Sequence, residues 1–257
     1  MPENLEFPEL LRLLGEQAAT LRATIASAPA LDVKVPTCPE WTLLDLVRHM
    51  AEVQSFWAAV ADAGPADTPP GSPSDFVDAA PDEREALLAW SAAATQRLRD
   101  SLRAAGPDAA CWTWWDTSDS PQTAGVVARH QLLEMSVHTY DAQNAVGAPL
   151  PLPTDVALDS IPHFLSTCCA NSTPWPHEPA ALEFQASEGR SWRLTLSADG
   201  AHHTRVPASA TMTAGTTAVR GTASELVMVL YSRLQITDLT VDGDPHLFEL
   251  LRDWEPD

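Results

Sequence analysis

Three ionisable side chains recur at four-residue intervals in the middle of the chain: His130, Glu134 and His138. Residues spaced in this way lie along one face of an α-helix, and Asp141 extends the stripe. An imidazole and a carboxylate four residues apart can bind one divalent metal ion. All three side chains cannot share the ion, because His130 and His138 are separated by a helical rise of about 12 Å, whereas zinc–ligand bonds are about 2 Å long. The stripe therefore offers either the 130/134 pair or the 134/138 pair, and Glu134 belongs to both.

A third ligand must come from another part of the chain, and His49 is the candidate. Its surroundings are apolar, which places it near the buried side of a helix: Leu46, Val47, Met50 and Val53. A core histidine hydrogen-bonded to a neighbour is the competing interpretation. Glu134 is harder to explain as a packing residue, because a carboxylate among Leu132, Leu133 and Met135 is costly to bury without a partner.

The elements that must position these residues are four helices, predicted at residues 5–28, 43–61, 82–105 and 123–146 from apolar spacing and from proline and glycine boundaries. Thr42 and Asp45 form a capping-box pattern at the start of the second helix. The segment VPTCPEW (35–41) and the tryptophan-rich segment at 111–122 are predicted to be loops. Four long helices predict an antiparallel four-helix bundle.

The second half of the chain has a different character. The segment PLPLP at 149–153 reads as a stiff linker, which predicts domains at 1–150 and 151–257. The second domain is predicted to be a smaller α+β domain, so the chain as a whole is α+β. Helices are expected at 154–170, 222–234 and 245–254, and strands at 181–187, 191–197, 209–213 and 236–241. His202 and His203 are expected in an exposed turn.

Composition narrows the class of protein. The 257 residues carry 35 acidic and 15 basic side chains, a formal net charge of −20. A surface this acidic repels phosphate backbones and argues against nucleic acid as a partner. The sequence has no apolar run long enough for a membrane span, and its acidic N-terminus lacks the pattern of a secretory signal. We therefore expect a cytoplasmic protein, either a monomer or a homodimer, with four buried or half-buried thiols at Cys38, Cys111, Cys168 and Cys169.

Two segments resemble a known family. TCPEWTLLDLVRHMAEVQ and ARHQLLEMSVHTYDAQNAVGAPLPLP are similar to the mycothiol-dependent maleylpyruvate isomerase family, within the wider DinB-like metalloenzyme superfamily. LYSRLQITDLTVDGDP is similar to the C-terminal part of that family. The chain departs from the family pattern at Leu133, Thr139 and Tyr140, none of which is a predicted ligand.

The resemblance implies a site and a chemistry. It implies that His49, Glu134 and His138 bind a divalent metal, usually zinc, which selects the 134/138 pair. It implies that Asp141 orients a ligand histidine. It further implies that Arg233, at the end of the predicted helix 222–234, binds a substrate carboxylate.

Two histidines and one carboxylate leave a position open on zinc, as in catalytic sites. The predicted function is therefore activation of a small thiol, mycothiol or another, for S-transfer to a small electrophile or for its isomerisation. A non-enzymatic metal-binding regulatory module is one alternative, and a zinc-water hydrolase with Asp141 or His130 as base is another. The tryptophans at 112, 114 and 115 are interpreted either as lining of the substrate site or as core or lid packing.

Overall fold

The computed structural model describes residues 4–76, 79–118, 120–207 and 215–254. Contacts between residues divide the chain into two compact units. The first contains the chain through Trp114 together with Pro121–Leu152, and the second contains Trp115–Ser120 together with everything from Pro153 onward. Residues 115–120 precede the division predicted at residue 150 and yet group with the second unit.

The first unit is built on four long helices: α1 (Phe7–Ser27), α2 (Leu43–Ala63), α3 (Arg84–Ala105) and α4 (Ala124–Ala145). Helix α1 packs on α4 and α3, and α2 packs on α3 and α4. This arrangement confirms the predicted four-helix bundle.

Local sequence signals explain where the helices begin and end. The predicted capping box is present at α2: the Thr42 side chain accepts a hydrogen bond from the Asp45 N–H, and the Asp45 carboxylate accepts one from the Thr42 N–H. Helix α3 ends at Ala105, and the next residue, Gly106, has a φ of 83° that is readily adopted only by glycine. Large side chains from all four helices fill the core, among them Leu14, Leu21, Met50, Leu98 and Leu132.

The prediction that residues 35–41 form a loop is wrong. Strand β1 (Lys34–Val35) pairs with β2 (Cys38–Thr42) in a small antiparallel hairpin directly before α2. These strands are very short, and Pro36 and Pro39 hide the alternation that normally marks a strand. The hairpin packs against both α2 and α4, so it belongs to the bundle and does not extend into solvent as a free loop. A short 3₁₀ turn at Pro73–Phe76 lies in the following connection and contacts α2.

The second unit contains a five-stranded mixed sheet with helices. Helix α5 (Thr154–Phe164) continues as a π-helical turn, Leu165–Cys169, and α6 (Ala223–Leu230) and α7 (His246–Asp253) follow later in the chain. Strand order is β5-β4-β3-β6-β7, where β3 is parallel to β6 and the other neighbours are antiparallel. The strands are β3 (Ala180–Ala186), β4 (Arg190–Ser197), β5 (Gly200–Val206), β6 (Thr216–Gly221) and β7 (Thr240–Asp242). In the part of the chain that the structure describes, no helix combines the length and apolarity that crossing a membrane requires.

Several sequence predictions for this unit need correction. His202 and His203 lie inside β5 and not in a turn. Strand β5 was not predicted because it is an edge strand whose exposed positions carry polar side chains, so its alternation is weak. Strand β6 was not predicted either, and the strand expected at 209–213 falls outside the described residues. Of the strand expected at 236–241, residues 236–238 form a 3₁₀ turn and only the end pairs, as part of β7.

Helix α6 is shorter than predicted, which changes the setting of Arg233. The helix ends at Leu230, and Ser232 adopts a left-handed φ of 58° that breaks the helical path. The Arg233 N–H then donates to the Met228 carbonyl at 2.7 Å, closing the turn. Arg233 therefore lies in the turn after the helix and not in its last turn.

The cysteines differ from expectation at one position. All four are free thiols, of which Cys38 is half-buried and Cys111 and Cys169 are buried, but Cys168 is exposed. Burial raises the pKa of the Cys111 thiol to about 11, and it raises that of Cys169 further, so both are unreactive thiols at neutral pH.

Candidate metal centre

Side chains from two helices converge at one place in the first unit. His49 on α2 and Glu134 and His138 on α4 each offer one ligand atom within 4.8 Å of the others. The His138 Nε2 atom lies 3.7 Å from Glu134 Oε2. The rings of His49 and His138 meet edge to face, with their centroids 5.2 Å apart. The structure thus brings together the three residues that the sequence and its resemblance indicated.

His130, the remaining histidine of the stripe, has a different environment. Its ring is buried, and it makes edge contacts with Trp57 and Trp114 at centroid distances of 6.0 and 5.6 Å. Burial lowers the pKa of His130. It is not a member of either cluster of potential ligands found among the described residues.

Asp141 is fully buried and fixes the orientation of His138. Its Oδ2 atom lies 2.8 Å from His138 Nδ1, and its Oδ1 accepts a hydrogen bond of 2.6 Å from Thr37 Oγ1. The Cys38 thiol donates more weakly to Oδ2, at 3.8 Å. A carboxylate beside Nδ1 places the proton on that nitrogen, which leaves the Nε2 lone pair directed toward Glu134. A carboxylate at the second ring nitrogen is the partner that metal-binding histidines usually have.

A second possible ligand set, Cys38, His138 and Asp141, shares His138 with the first. Its members are joined to one another by the hydrogen bonds just described. These bonds describe a support that holds His138, so the set with His49 and Glu134 remains the candidate metal site.

The environment of His49 suits a neutral ligand. Burial lowers its pKa to about 4, and the nearby His138 adds to that effect, while the Glu134 carboxylate opposes it. Metal ions bind the deprotonated imidazole. At neutral pH, His49 therefore has a lone pair available without first losing a proton.

Comparison with known proteins gives the family. The profile of the mycothiol maleylpyruvate isomerase N-terminal domain matches residues 11–143, and that of the C-terminal domain matches residues 155–250. The chain belongs to this family. No protein among those with curated descriptions matches the sequence.

Solved structures agree with this family at the level of the fold. The crystal structure of the mycothiol-dependent maleylpyruvate isomerase matches with a TM-score of 0.59 and 16% sequence identity, covering 93% of each chain. A histidine-to-alanine mutant of that enzyme matches with a TM-score of 0.58, at the same identity and coverage.

Within this family member, residues of the β1–β2 hairpin complete the surroundings of the cluster. The Trp41 ring lies 4.6 Å from that of His49 and 5.8 Å from that of His138. Sequence reasoning did not single out Trp41, or Thr37 and Cys38 as partners of Asp141. The signal was present, because all three lie in the segment TCPEWT that carries the family resemblance.

Arg233 lies in the second unit. Its side chain is partly exposed, and its Nη1 donates a hydrogen bond of 2.9 Å to the Tyr231 carbonyl. This contact gives the guanidinium a structural role in its own turn, and substrate binding must be tested against that role.

Replacing Asp141 with alanine should weaken metal binding without removing a ligand. Loss of the carboxylate frees the His138 ring to rotate and to change tautomer, and such supporting partners are typically worth about 10- to 100-fold in metal affinity. Competition with a chromogenic chelator measures the dissociation constant. Thr37→Val should give a smaller change in the same direction, and Asp100→Ala, on the exposed face of α3, should give none. Unchanged affinity in Asp141→Ala would contradict the orienting role.

Proposed function

We propose that this chain is a metal-dependent enzyme that activates mycothiol for thiol-assisted isomerisation of a small electrophile, or for S-transfer to it. In this proposal a divalent ion, zinc, is held by His49, Glu134 and His138. The observation that carries the proposal is the convergence of these three side chains, with Asp141 fixing His138 from behind. Membership of the mycothiol maleylpyruvate isomerase family supports the reaction class.

The donor set fits zinc. Two imidazoles and one carboxylate are ligands that zinc accepts, and three protein ligands leave a position for a further one. A bound zinc ion would supply Lewis acidity, which lowers the pKa of a thiol that reaches this position. The protein contributes a neutral His49, the negative charge of Glu134 and a His138 held in one tautomer by Asp141.

Isomerisation and S-transfer would both begin with the same addition of a thiolate to the electrophile. A thiolate adds to an activated double bond, which becomes a single bond and can rotate. Elimination of the same thiolate then restores the double bond in the other geometry, and no atom is gained or lost. If the proton that the thiol lost on ionising is instead delivered to the carbon that carries the new electron pair, and the adduct is released, the net result is S-transfer. Arg233 is proposed to bind a carboxylate of the electrophile through its planar guanidinium.

The hydrolase alternative receives no comparable support. Asp141 is fully buried, and its oxygens accept hydrogen bonds from Thr37 and His138, so it is poorly placed to act as a base. His130 is buried against tryptophan rings. The proposed partners are a small electrophile and a low-molecular-weight thiol, and the proposed location is the cytoplasm. The net charge of −20 argues against nucleic acid as a partner.

Cobalt substitution tests the proposal directly. The purified protein should contain stoichiometric metal, and the cobalt form should develop a thiolate-to-metal charge-transfer band when mycothiol is added. The Glu134→Ala variant, treated identically, should show neither the cobalt spectrum nor the band. A wild-type protein that takes up no metal, or a cobalt spectrum that saturating thiol leaves unchanged, would refute the proposed function. Turnover of an enedione acid then separates the enzyme from a regulatory metal-binding module.

A further inference from the structure

A group of aromatic rings surrounds His130 in the first unit, and we call it the aromatic platform: Phe56, Trp57, Trp112 and Trp114 with His130. Trp57 and Trp112 stack with an interplanar angle of 29° and a centroid distance of 6.0 Å, and Phe56 meets Trp112 edge to face at 5.8 Å. Trp57 and Trp114 both contact the His130 ring. These contacts join the five rings into one continuous group.

The platform runs from the interior of the bundle to its surface. Trp57 is 3% exposed and Trp112 is half-buried, whereas Trp114 is 45% exposed. Among the described residues, Trp114 and Leu150 are the two large apolar side chains that are exposed. Trp114 therefore presents an indole face to solvent at the outer end of a row of buried and half-buried rings.

The platform adjoins the metal-binding cluster. His130 precedes Glu134 by four residues on α4, so the two side chains share a helix face and are offset by about 6 Å along it. Trp114 contacts the side of this stripe at His130, one turn before the cluster. A ligand with one end at His49, Glu134 and His138 would therefore have its other end within reach of Trp114.

The character of the surface indicates which part of a ligand it suits. A half-exposed indole offers a flat apolar face and a polar N–H edge. Such a surface matches a ring with apolar C–H faces and polar edges, which is the chemistry of a sugar.

We infer that the aromatic platform, through Trp114, stacks against the sugar portion of mycothiol while the thiol sulfur lies at the His49–Glu134–His138 cluster. Mycothiol joins an acetylated cysteine by an amide to an uncharged sugar–cyclitol unit. Its cysteinyl arm is comparable in length to about two extended residues, or roughly 7 Å, which matches the offset of one helical turn. The inference rests on the proposed function and adds to it the residue that distinguishes mycothiol from simpler thiols.

The test compares mycothiol with a truncated probe, N-acetylcysteine methylamide, which keeps the thiol and the amide and lacks the sugar. Dissociation constants for both are measured on cobalt-loaded full-length protein through the charge-transfer band. Trp114→Ala should raise the dissociation constant of mycothiol by about 3- to 10-fold, the range expected for loss of one aromatic stacking contact. The same variant should bind the truncated thiol as wild type does and should hold the same amount of cobalt.

Two further variants sharpen the result. Trp114→Phe keeps a ring and should recover part of the affinity for mycothiol. Leu150→Ala removes the other large apolar side chain that is exposed among the described residues, and it should leave the dissociation constants of both thiols unchanged.

The outcomes separate this inference from the proposed function. The role of Trp114 would be overturned if Trp114→Ala weakened the binding of both thiols equally, weakened the binding of neither, or changed only the KM of the electrophile. Each of these results would leave the metal–thiol function standing. A wild-type cobalt protein that responds to neither thiol would overturn both.

Discussion

Replacing Glu134 with alanine should abolish metal binding while the bundle stays folded. Glu134 is the anionic member of the cluster, and its side chain is partly exposed, so its loss leaves two imidazoles and no carboxylate ligand for a divalent ion. The affinity should fall by more than the roughly 100-fold that removing a supporting partner costs. The metal content of the protein after gel filtration measures the loss of metal binding, and far-ultraviolet circular dichroism verifies that the helices remain folded.

His130 provides the matched control for this prediction. It lies on the same helix and the same face as Glu134, one turn away, yet its ring packs against tryptophans. His130→Ala should therefore retain stoichiometric metal, whereas His49→Ala and His138→Ala should lose it as Glu134→Ala does. Full metal content in Glu134→Ala, or loss of metal in His130→Ala alone, would reject the assignment of the ligands.

Replacing Arg233 with alanine should reduce kcat/KM without changing metal content. A hydrogen bond between charged groups contributes about 1.5–3 kcal/mol, so the expected loss is roughly 10- to 150-fold for an electrophile that carries a carboxylate. Arg233→Lys should recover little of this, because an ammonium group cannot form the planar bidentate contact. Steady-state kinetics on the metal-loaded full chain measure the effect.

The competing interpretation of Arg233 is structural. Its guanidinium donates to the Tyr231 carbonyl in the turn after α6, and an ordinary hydrogen bond of that kind contributes about 0.5–1.5 kcal/mol to stability. If that is its whole role, Arg233→Ala lowers the melting temperature slightly and leaves kcat/KM unchanged. Normal kinetics in this variant would remove Arg233 from the site. An electrophile lacking its carboxylate supplies the control, since the wild type and the variant should turn it over equally.

The sequence by itself determined the helical framework and the stripe of candidate ligands. Apolar spacing and the Thr42–Asp45 cap are local signals, and local signals give the positions of α1 to α4 to within a few residues. The four-residue spacing of His130, Glu134 and His138 needs nothing beyond helical geometry. That geometry could not choose between the two pairs; only the resemblance to the family did.

Tertiary structure decided what depends on contacts distant in sequence. The hydrogen bond from Thr37 to Asp141 joins residues 104 positions apart, and it exists because the β1–β2 hairpin packs against α4. The same packing brings Trp41 to the rings of His49 and His138.

Strands β5 and β6 depended on the tertiary structure for a related reason. A strand is stabilised by the partners beside it, and the short or polar segments that form these two carry little periodicity of their own. Similarly, Trp114 and Trp115 are neighbours in sequence, but one is exposed in the first unit and the other is buried in the second. Local propensity describes each segment alone, whereas burial and pairing depend on which distant segments the fold places against it.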